Sequence, residues 1–257
     1  MNAYDSVASA LRLDGRRALV TGASSGFGAC FAQLLSDAGA EVILAARRID
    51  KLQSLTDALN KKGRLASAVT LDVSSKESVQ ACFEQVGVCD IVINNAGITV
   101  TRVLLDQTEE DWDSVIDTNL KGCWLVATEA ARHLRDAGRS GCIVNVASIL
   151  GERVAAGVAP YAISKAGVVQ ATKVMALELA RYKIRVNALL PGYVVTDLNR
   201  EFLESEAGQK LRSRVPTREF GQLQDLYGPL LMLVSDAGAG MTGSCVAVDR
   251  GHLISSL

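Results

Sequence analysis

A serine, a tyrosine and a lysine stand in the middle of this chain in an order suited to moving a proton. Ser148 closes the apolar run Cys142-Ile143-Val144-Asn145-Val146-Ala147. Tyr161 follows thirteen residues later, and Lys165 four after that. Four residues make ~one helical turn, so on a helix Tyr161 and Lys165 share a face. An ammonium held near a phenol favours the phenolate and lowers a pKa otherwise near ~10. Tyr161 is thus a candidate acid/base for near-neutral pH, and Ser148 could bond the oxygen that the phenol protonates.

A second set of residues suits a dinucleotide. Gly22-Ala23-Ser24-Ser25-Gly26-Phe27-Gly28 follows the β-type run Arg17–Thr21 and precedes a helical pattern (Cys30, Phe31, Leu34, Leu35, Ala38) that stops at Gly39. Glycines let a backbone approach a pyrophosphate, and a helix N-terminus offers free N–H groups and a positive dipole end. The spacing is GxxxGxG, so the usual GxGxxG fingerprint is not met literally. The next strand, Glu41 to Ala46, ends where an acid would bind a ribose 2′-hydroxyl. Arg47 and Arg48 stand there instead. Two guanidiniums can accept a 2′-phosphate bidentately, which favours NADP(H) over NAD(H). A solvated basic pair opening a helix is the plainer alternative.

Further candidates lie at other strand ends. Asp72-Val73 closes the run from Leu65 to Leu71, where the aspartate would accept from an adenine amino group or cap a helix starting near Ser74 and Ser75. Asn94-Asn95-Ala96-Gly97 follows the run from Val88 to Ile93, with two amides able to bond backbone or ribose. Asn119 interrupts a helical region from Thr108 to Arg135, where an asparagine ordinarily competes with the backbone.

The elements that must position these groups alternate strand and helix throughout, as in a parallel sheet covered on both faces. Pro160 suits the first position of a Tyr161–Tyr182 helix rich in small and apolar residues, which fits burial, including against another subunit. Ile184 to Leu190 is a strand ending in Pro191-Gly192. Tyr193 to Pro216 lacks a clean period and reads as a loop-and-helix lid. Leu226 to Val234 reads as helix and Ser244 to Val248 as the last strand. Met1 to Leu11 reads as a polar lead-in. No linker or repeat appears, so residues 1–257 are expected to form a single domain.

Composition narrows the function. A net charge of −1 and 5% aromatics give no footprint for nucleic acid or an anionic membrane. No apolar run reaches the ~18 residues that span a bilayer, and no secretory leader is recognisable. Six cysteines without a CxxC, mostly within apolar patterns, are expected to be reduced core residues of a cytoplasmic protein. Two histidines without ligand-like neighbours lead us to expect no metal site. Ser255-Ser256-Leu257 echoes a peroxisomal tail but lacks its basic middle residue, so an ordinary C-terminus is expected.

Taken in order, Thr21-Gly22-xxx-Gly26-x-Gly28, Asp72, Asn94-Asn95-Ala96-Gly97, Asn119, Ser148, Tyr161-xxx-Lys165 and Pro191-Gly192-xxx-Thr196 resemble the motifs of the short-chain dehydrogenase/reductase family, across residues 13–252. The resemblance implies an α/β Rossmann-type doubly wound sheet of about seven strands with a nicotinamide cofactor. It implies a tetrad: Tyr161 exchanges a proton with the substrate, Ser148 orients the reacting oxygen, Lys165 lowers the tyrosine pKa and holds the nicotinamide ribose, and Asn119 holds a relay water. It places Val194 and Thr196 at the carboxamide and links Arg47 to NADP(H). A homodimer or homotetramer is usual in the family.

The pattern is most similar to the 3-oxoacyl-carrier-protein reductase-like branch, with two departures. Members that dock acyl carrier protein have arginines about where this chain has Leu125 and Leu177. Asp249-Arg250-Gly251 replaces their Asp-Gly-Gly, putting charge near a subunit contact or a neighbour's site. The leading expectation is therefore an NADP(H)-dependent oxidoreductase acting on a small ketone or secondary alcohol. A 3-oxoacyl-thioester reductase is the alternative. A nucleotide-sensing regulator is a third reading, which would have no need of Tyr161 or Ser148.

Overall fold

A computed structural model describes residues 3–196 and 199–255. Its centre is one sheet of seven strands, all parallel, in the order β3-β2-β1-β4-β5-β6-β7. The strands are β1 (Arg17–Thr21), β2 (Glu41–Ala46), β3 (Ala66–Thr70), β4 (Ile91–Asn94), β5 (Gly141–Val146), β6 (Ile184–Pro191) and β7 (Cys245–Val248). The central strands are continuous apolar runs because both sheet faces are covered.

Alternate residues feed two cores. Ala18 and Val20 pack with Val42, Leu44, Phe31, Leu35 and Leu230 on one face. Leu19 packs with Ile43, Val92, Phe83, Val126 and Leu134 on the other. The first face is covered by α2 (Gly26–Asp37), α3 (Ile49–Lys61) and α10 (Tyr227–Val234). The second is covered by α4 (Lys76–Val86), α6 (Gly122–Asp136) and α7 (Ala159–Leu179). The chain runs outward from β1 to β3, then restarts at β4 on the other side. That reversal opens a crevice at the carboxyl ends of β1 and β4, where doubly wound sheets hold ligands.

The elements depart from expectation in two places. The N-terminal lead-in contains a helix, α1 (Ala3–Ala10). The region read as one helix from Thr108 is broken. α5 (Glu109–Ile116) starts at a capping box formed by Thr108 and Asp111 and passes into a π-helical turn, Asp117–Lys121, before α6. The lid segment carries two short helices, α8 (Arg200–Glu204) and α9 (Glu206–Arg212). Ser256 and Leu257, two of the three residues of the peroxisomal echo, lie outside the described residues.

Candidate active site

Every candidate group sits at the carboxyl edge of the sheet. The turn after β1 is held from the side by the segment after β4. Thr21 Oγ1 accepts from the main-chain N–H groups of Asn95 and Ala96, both at 3.0 Å. Asn95 Nδ2 donates to the carbonyl of Thr21 at 2.9 Å. Asn95 therefore staples β4 to β1 through its side chain. Asn94 turns into the core and donates to Asn145 Oδ1 at 2.9 Å, and Asn145 donates to Thr172 Oγ1.

The glycines of the turn divide into crowded and open positions. A methyl on Gly28 would lie 2.4 Å from the Gly22 carbonyl oxygen, so that glycine is dictated by the fold. Gly26 has φ +55 and faces open space. Helix α2 begins there with Ser25 as N-cap, and no side chain caps its first N–H groups. An open cradle at an uncapped helix end fits a pyrophosphate. Phe27 instead packs inward, its ring 5.9 Å from that of Phe31.

Arg47 and Arg48 are exposed just past β2, and Arg48 Nη2 donates to Ser24 Oγ at 3.3 Å. Asp72 spends one carboxylate oxygen on Ser74, accepting from its N–H at 3.0 Å and its hydroxyl at 2.6 Å. The Ser74 hydroxyl is the main reason its pKa is lowered, with Arg47 contributing a smaller pull. Ser75, not Asp72, caps α4. Val73 and Val194 are buried core residues, and the Val194 carbonyl accepts from Asn199 Nδ2 at 2.9 Å. Thr196 donates its N–H to Asn199 Oδ1 at 2.8 Å. Gly192 is backed against Asp249 so closely that a methyl there would lie 2.7 Å from its Cβ.

The proton-handling residues converge from three elements. Ser148 follows β5 and opens a 3-10 turn, accepting from the Leu150 N–H at 3.1 Å. Tyr161 and Lys165 lie one turn apart on α7. Burial raises the Tyr161 pKa, while a hydrogen bond with Ser148 works in the opposite direction. Lys165 is buried, and its Nζ lies 5.5 Å from the centre of the Tyr161 ring. Its hydrogen bond goes to the Val146 carbonyl at 2.7 Å, and burial lowers its pKa to about 8. The expected depression of the tyrosine pKa by this ammonium is therefore not seen. Burial of the phenol, which disfavours the charged phenolate, is the leading cause of the raised value.

Asn119 is spent on the backbone. Its Oδ1 accepts from Ile98 N at 2.8 Å, and its Nδ2 donates to Ile98 O at 2.9 Å and to Ser164 Oγ at 3.1 Å. The π-helical turn absorbs the cost of an asparagine within the helical region and ties it to the loop after Gly97. A methyl on Gly97 would lie 3.3 Å from Asn119 Oδ1 and 3.6 Å from Lys165 Nζ, so two of the four catalytic candidates meet beside Gly97. Ser164 was not singled out by the sequence; its spacing of three from Tyr161 points it to the buried side of α7. Arg250, flagged as a departure, has φ +55 and pairs with Asp225 at 2.8 Å and Glu219 at 2.5 Å.

Comparisons with known proteins agree with this geometry. A family model described as enoyl-(acyl carrier protein) reductase matches residues 22–252. The chain is 36% identical over 248 residues to gluconate 5-dehydrogenase of Gluconobacter oxydans, covering 95% of this chain and 96% of that protein. It is equally 36% identical over 248 residues to the 3-oxoacyl-[acyl-carrier-protein] reductase of Thermotoga maritima, covering 95% of this chain and 100% of the relative. A crystal structure of a Burkholderia cenocepacia gluconate 5-dehydrogenase with NADP and tartrate superposes with a TM-score of 0.93 at 35% identity, over 97% of this chain and 100% of that one. With its ordered motifs, its sheet and these relatives, the chain belongs to the short-chain dehydrogenase/reductase family, NAD(P)-dependent oxidoreductases of CH–OH and C=O groups.

Proposed function

We propose that this chain, acting as one domain, interconverts a ketone and a secondary alcohol with NADP(H), using Tyr161 as the proton donor and acceptor. One observation carries the reading. Ser148, which follows β5, interacts with the buried Tyr161 hydroxyl closely enough to lower its pKa against burial, and Lys165 Nζ lies 5.5 Å from the centre of the Tyr161 ring. The bound nicotinamide supplies or accepts the hydride. The chain's residues do the rest. Ser148 and Tyr161 hold the substrate oxygen, and the tyrosine exchanges its proton. Lys165 supplies positive charge beside the phenol. Asn119 fixes the loop after Gly97 against α7. Arg47 and Arg48 receive the 2′-phosphate, and the α2 N-terminus receives the pyrophosphate.

A panel of ketones and secondary alcohols, run with NADP(H) and NAD(H) and followed by nicotinamide absorbance, tests this. Turnover with NADP(H) supports the reading, and inertness toward the whole panel by a cofactor-binding enzyme would refute it. Exposed Val103, Leu104 and Leu105 follow the Asn-Asn-Ala-Gly turn, an apolar rim that suits an acyl chain. A 3-oxoacyl thioester therefore belongs in the same panel.

The chain acts as a homo-oligomer in this reading. Trp112, Trp124, Ile163, Val174 and Leu177 leave an apolar surface on α5, α6 and α7, and Leu177 is 81% exposed. Light scattering after gel filtration would show a dimer or tetramer. Six unpaired cysteines, four of them buried, support a reducing, cytoplasmic setting.

A further inference from the structure

Three segments meet beside Tyr161 that the proton-transfer scheme leaves without a role. Arg153 ends the turn begun by Ser148, its N–H donating to the Ile149 carbonyl at 2.9 Å. Tyr193 follows the Pro191-Gly192 end of β6. His252 follows β7, in a turn that Asp249 closes by accepting from the N–H groups of Gly251 at 2.9 Å and Leu253 at 2.5 Å. The Tyr193 and His252 rings lie 5.6 Å apart, and Phe220 flanks Tyr193 at 6.3 Å. Arg153 Nη1 donates to the His252 carbonyl and, at 3.2 Å, to Ser255 Oγ.

Two features of this cluster point to a ligand. Arg153 is only partly exposed, yet among the described residues it has no carboxylate partner. A half-buried guanidinium facing only neutral acceptors leaves a positive charge to be met from outside the chain. His252 is 3% exposed, and its buried Nδ1 has no hydrogen-bond partner among the described residues. Buried polar atoms are almost always satisfied, so an unpaired one beside a substrate crevice calls for a partner.

We infer that Arg153, His252 and Tyr193 form a subsite for the carboxylate of an anionic hydroxy- or keto-acid substrate, beside the Ser148–Tyr161 pair. Guanidinium, phenol and imidazole are all able to donate, which suits an acceptor-rich anion and gives a neutral group no matching charge. Electrostatics agree. Burial chiefly, and then Arg153, hold the His252 pKa below its ordinary value; Asp249, whose carboxylate is turned to the main-chain N–H groups of Gly251 and Leu253, works against them, and Arg214 of the lid segment adds to the lowering. Arg153 also pulls the Tyr193 pKa down against the burial that raises it. Tyr193 in turn raises the Tyr161 pKa, which places the cluster within electrostatic range of the proton-transfer group. This inference rests on the ketone/alcohol reading above and names the substrate class for it.

The test uses the NADP(H)-loaded enzyme with D-gluconate and D-sorbitol, which differ in carrying a carboxylate or a CH2OH at one end. Wild type should favour gluconate by about 100-fold in kcat/KM. Arg153→Gln should raise the gluconate KM about tenfold or more with kcat little changed, and so collapse that preference. Arg153→Lys should recover part of it. Intact NADPH affinity shows that the variants fold. Equal use of the two substrates by wild type, or an unchanged preference in Arg153→Gln, overturns the inference. A loss of kcat alone, equal for both substrates, also overturns it by making Arg153 a structural tether. If neither compound turns over, tartrate binding to the NADPH complex, read by nicotinamide fluorescence, decides. Binding weakened about tenfold by Arg153→Gln supports the subsite, and absent or unchanged binding overturns it. Failure of the oxidoreductase reading looks different, as inertness toward every ketone and alcohol tried.

Discussion

Lys165 gives its hydrogen bond to the main-chain carbonyl of Val146, 2.7 Å away, while the same nitrogen stands 5.5 Å from the centre of the Tyr161 ring. The ammonium is thus anchored to the end of β5, the strand that also delivers Ser148. One strand end thus carries both the serine and the anchor of the lysine, and the tyrosine is placed beside them.

That anchoring has a pH signature. Burial holds the Lys165 pKa at about 8 against an ordinary 10.5. Below pH 8 both folded and unfolded chains carry the proton, and the full cost of burying the charge is present. Between the two values the unfolded chain binds more protons, so stability rises with pH. Urea midpoints of wild type and Lys165→Met, compared at pH 7.5 and 9.5, should shift in favour of wild type at the higher pH. A difference that stays flat would mean the ammonium is not desolvated.

Tyr161→Phe keeps the ring and removes only the hydroxyl. General acid–base groups contribute about 10²–10⁴-fold, so turnover should fall by that order while NADPH still binds. Stopped-flow binding and steady-state rates separate the two effects. Retained turnover would take Tyr161 out of proton transfer.

Arg47 is exposed and free to meet a 2′-phosphate, apart from a weak pull on Asp72. Hydrogen bonds to charged groups contribute ~1.5–3 kcal/mol. Arg47→Ala should therefore raise the NADPH KM by about tenfold or more and leave the NADH KM nearly unchanged. Equal changes for both cofactors would reduce Arg47 to a surface charge.

The glycines of the first turn should separate by mechanism. A methyl on Gly28 would sit 2.4 Å from the Gly22 carbonyl oxygen, so Gly28→Ala should unfold the turn and lower the melting temperature sharply. Gly26 has φ +55 but open space around it. Gly26→Ala should cost only ~1 kcal/mol of stability, while weakening cofactor binding by filling the cradle. Thermal melts with and without NADP+ distinguish these outcomes.

Much of this protein is written locally. Apolar runs bounded by glycine and polar turns specify seven parallel strands, because a buried strand needs an unbroken apolar sequence. The glycine turn, Arg47, Ser148, Tyr161 and Lys165 are legible because each marks a strand end or a helical turn, and one-turn spacing is a local property. Apart from the family resemblance, which places it in the tetrad, Asn119 is legible only as an anomaly in a helical region. Its meaning comes from Ile98 and Ser164, 21 and 45 positions away, which the π-helical turn brings within reach. The partner of Lys165 and the rise in the Tyr161 pKa were likewise decided by packing, since desolvation depends on what closes over a group and not on its neighbours in sequence. Arg153 and His252 are 99 positions apart, and no spacing rule joins them. Only the order of the strands, which sets β6 between β5 and β7, brings the loops that follow those strands to one edge of the crevice.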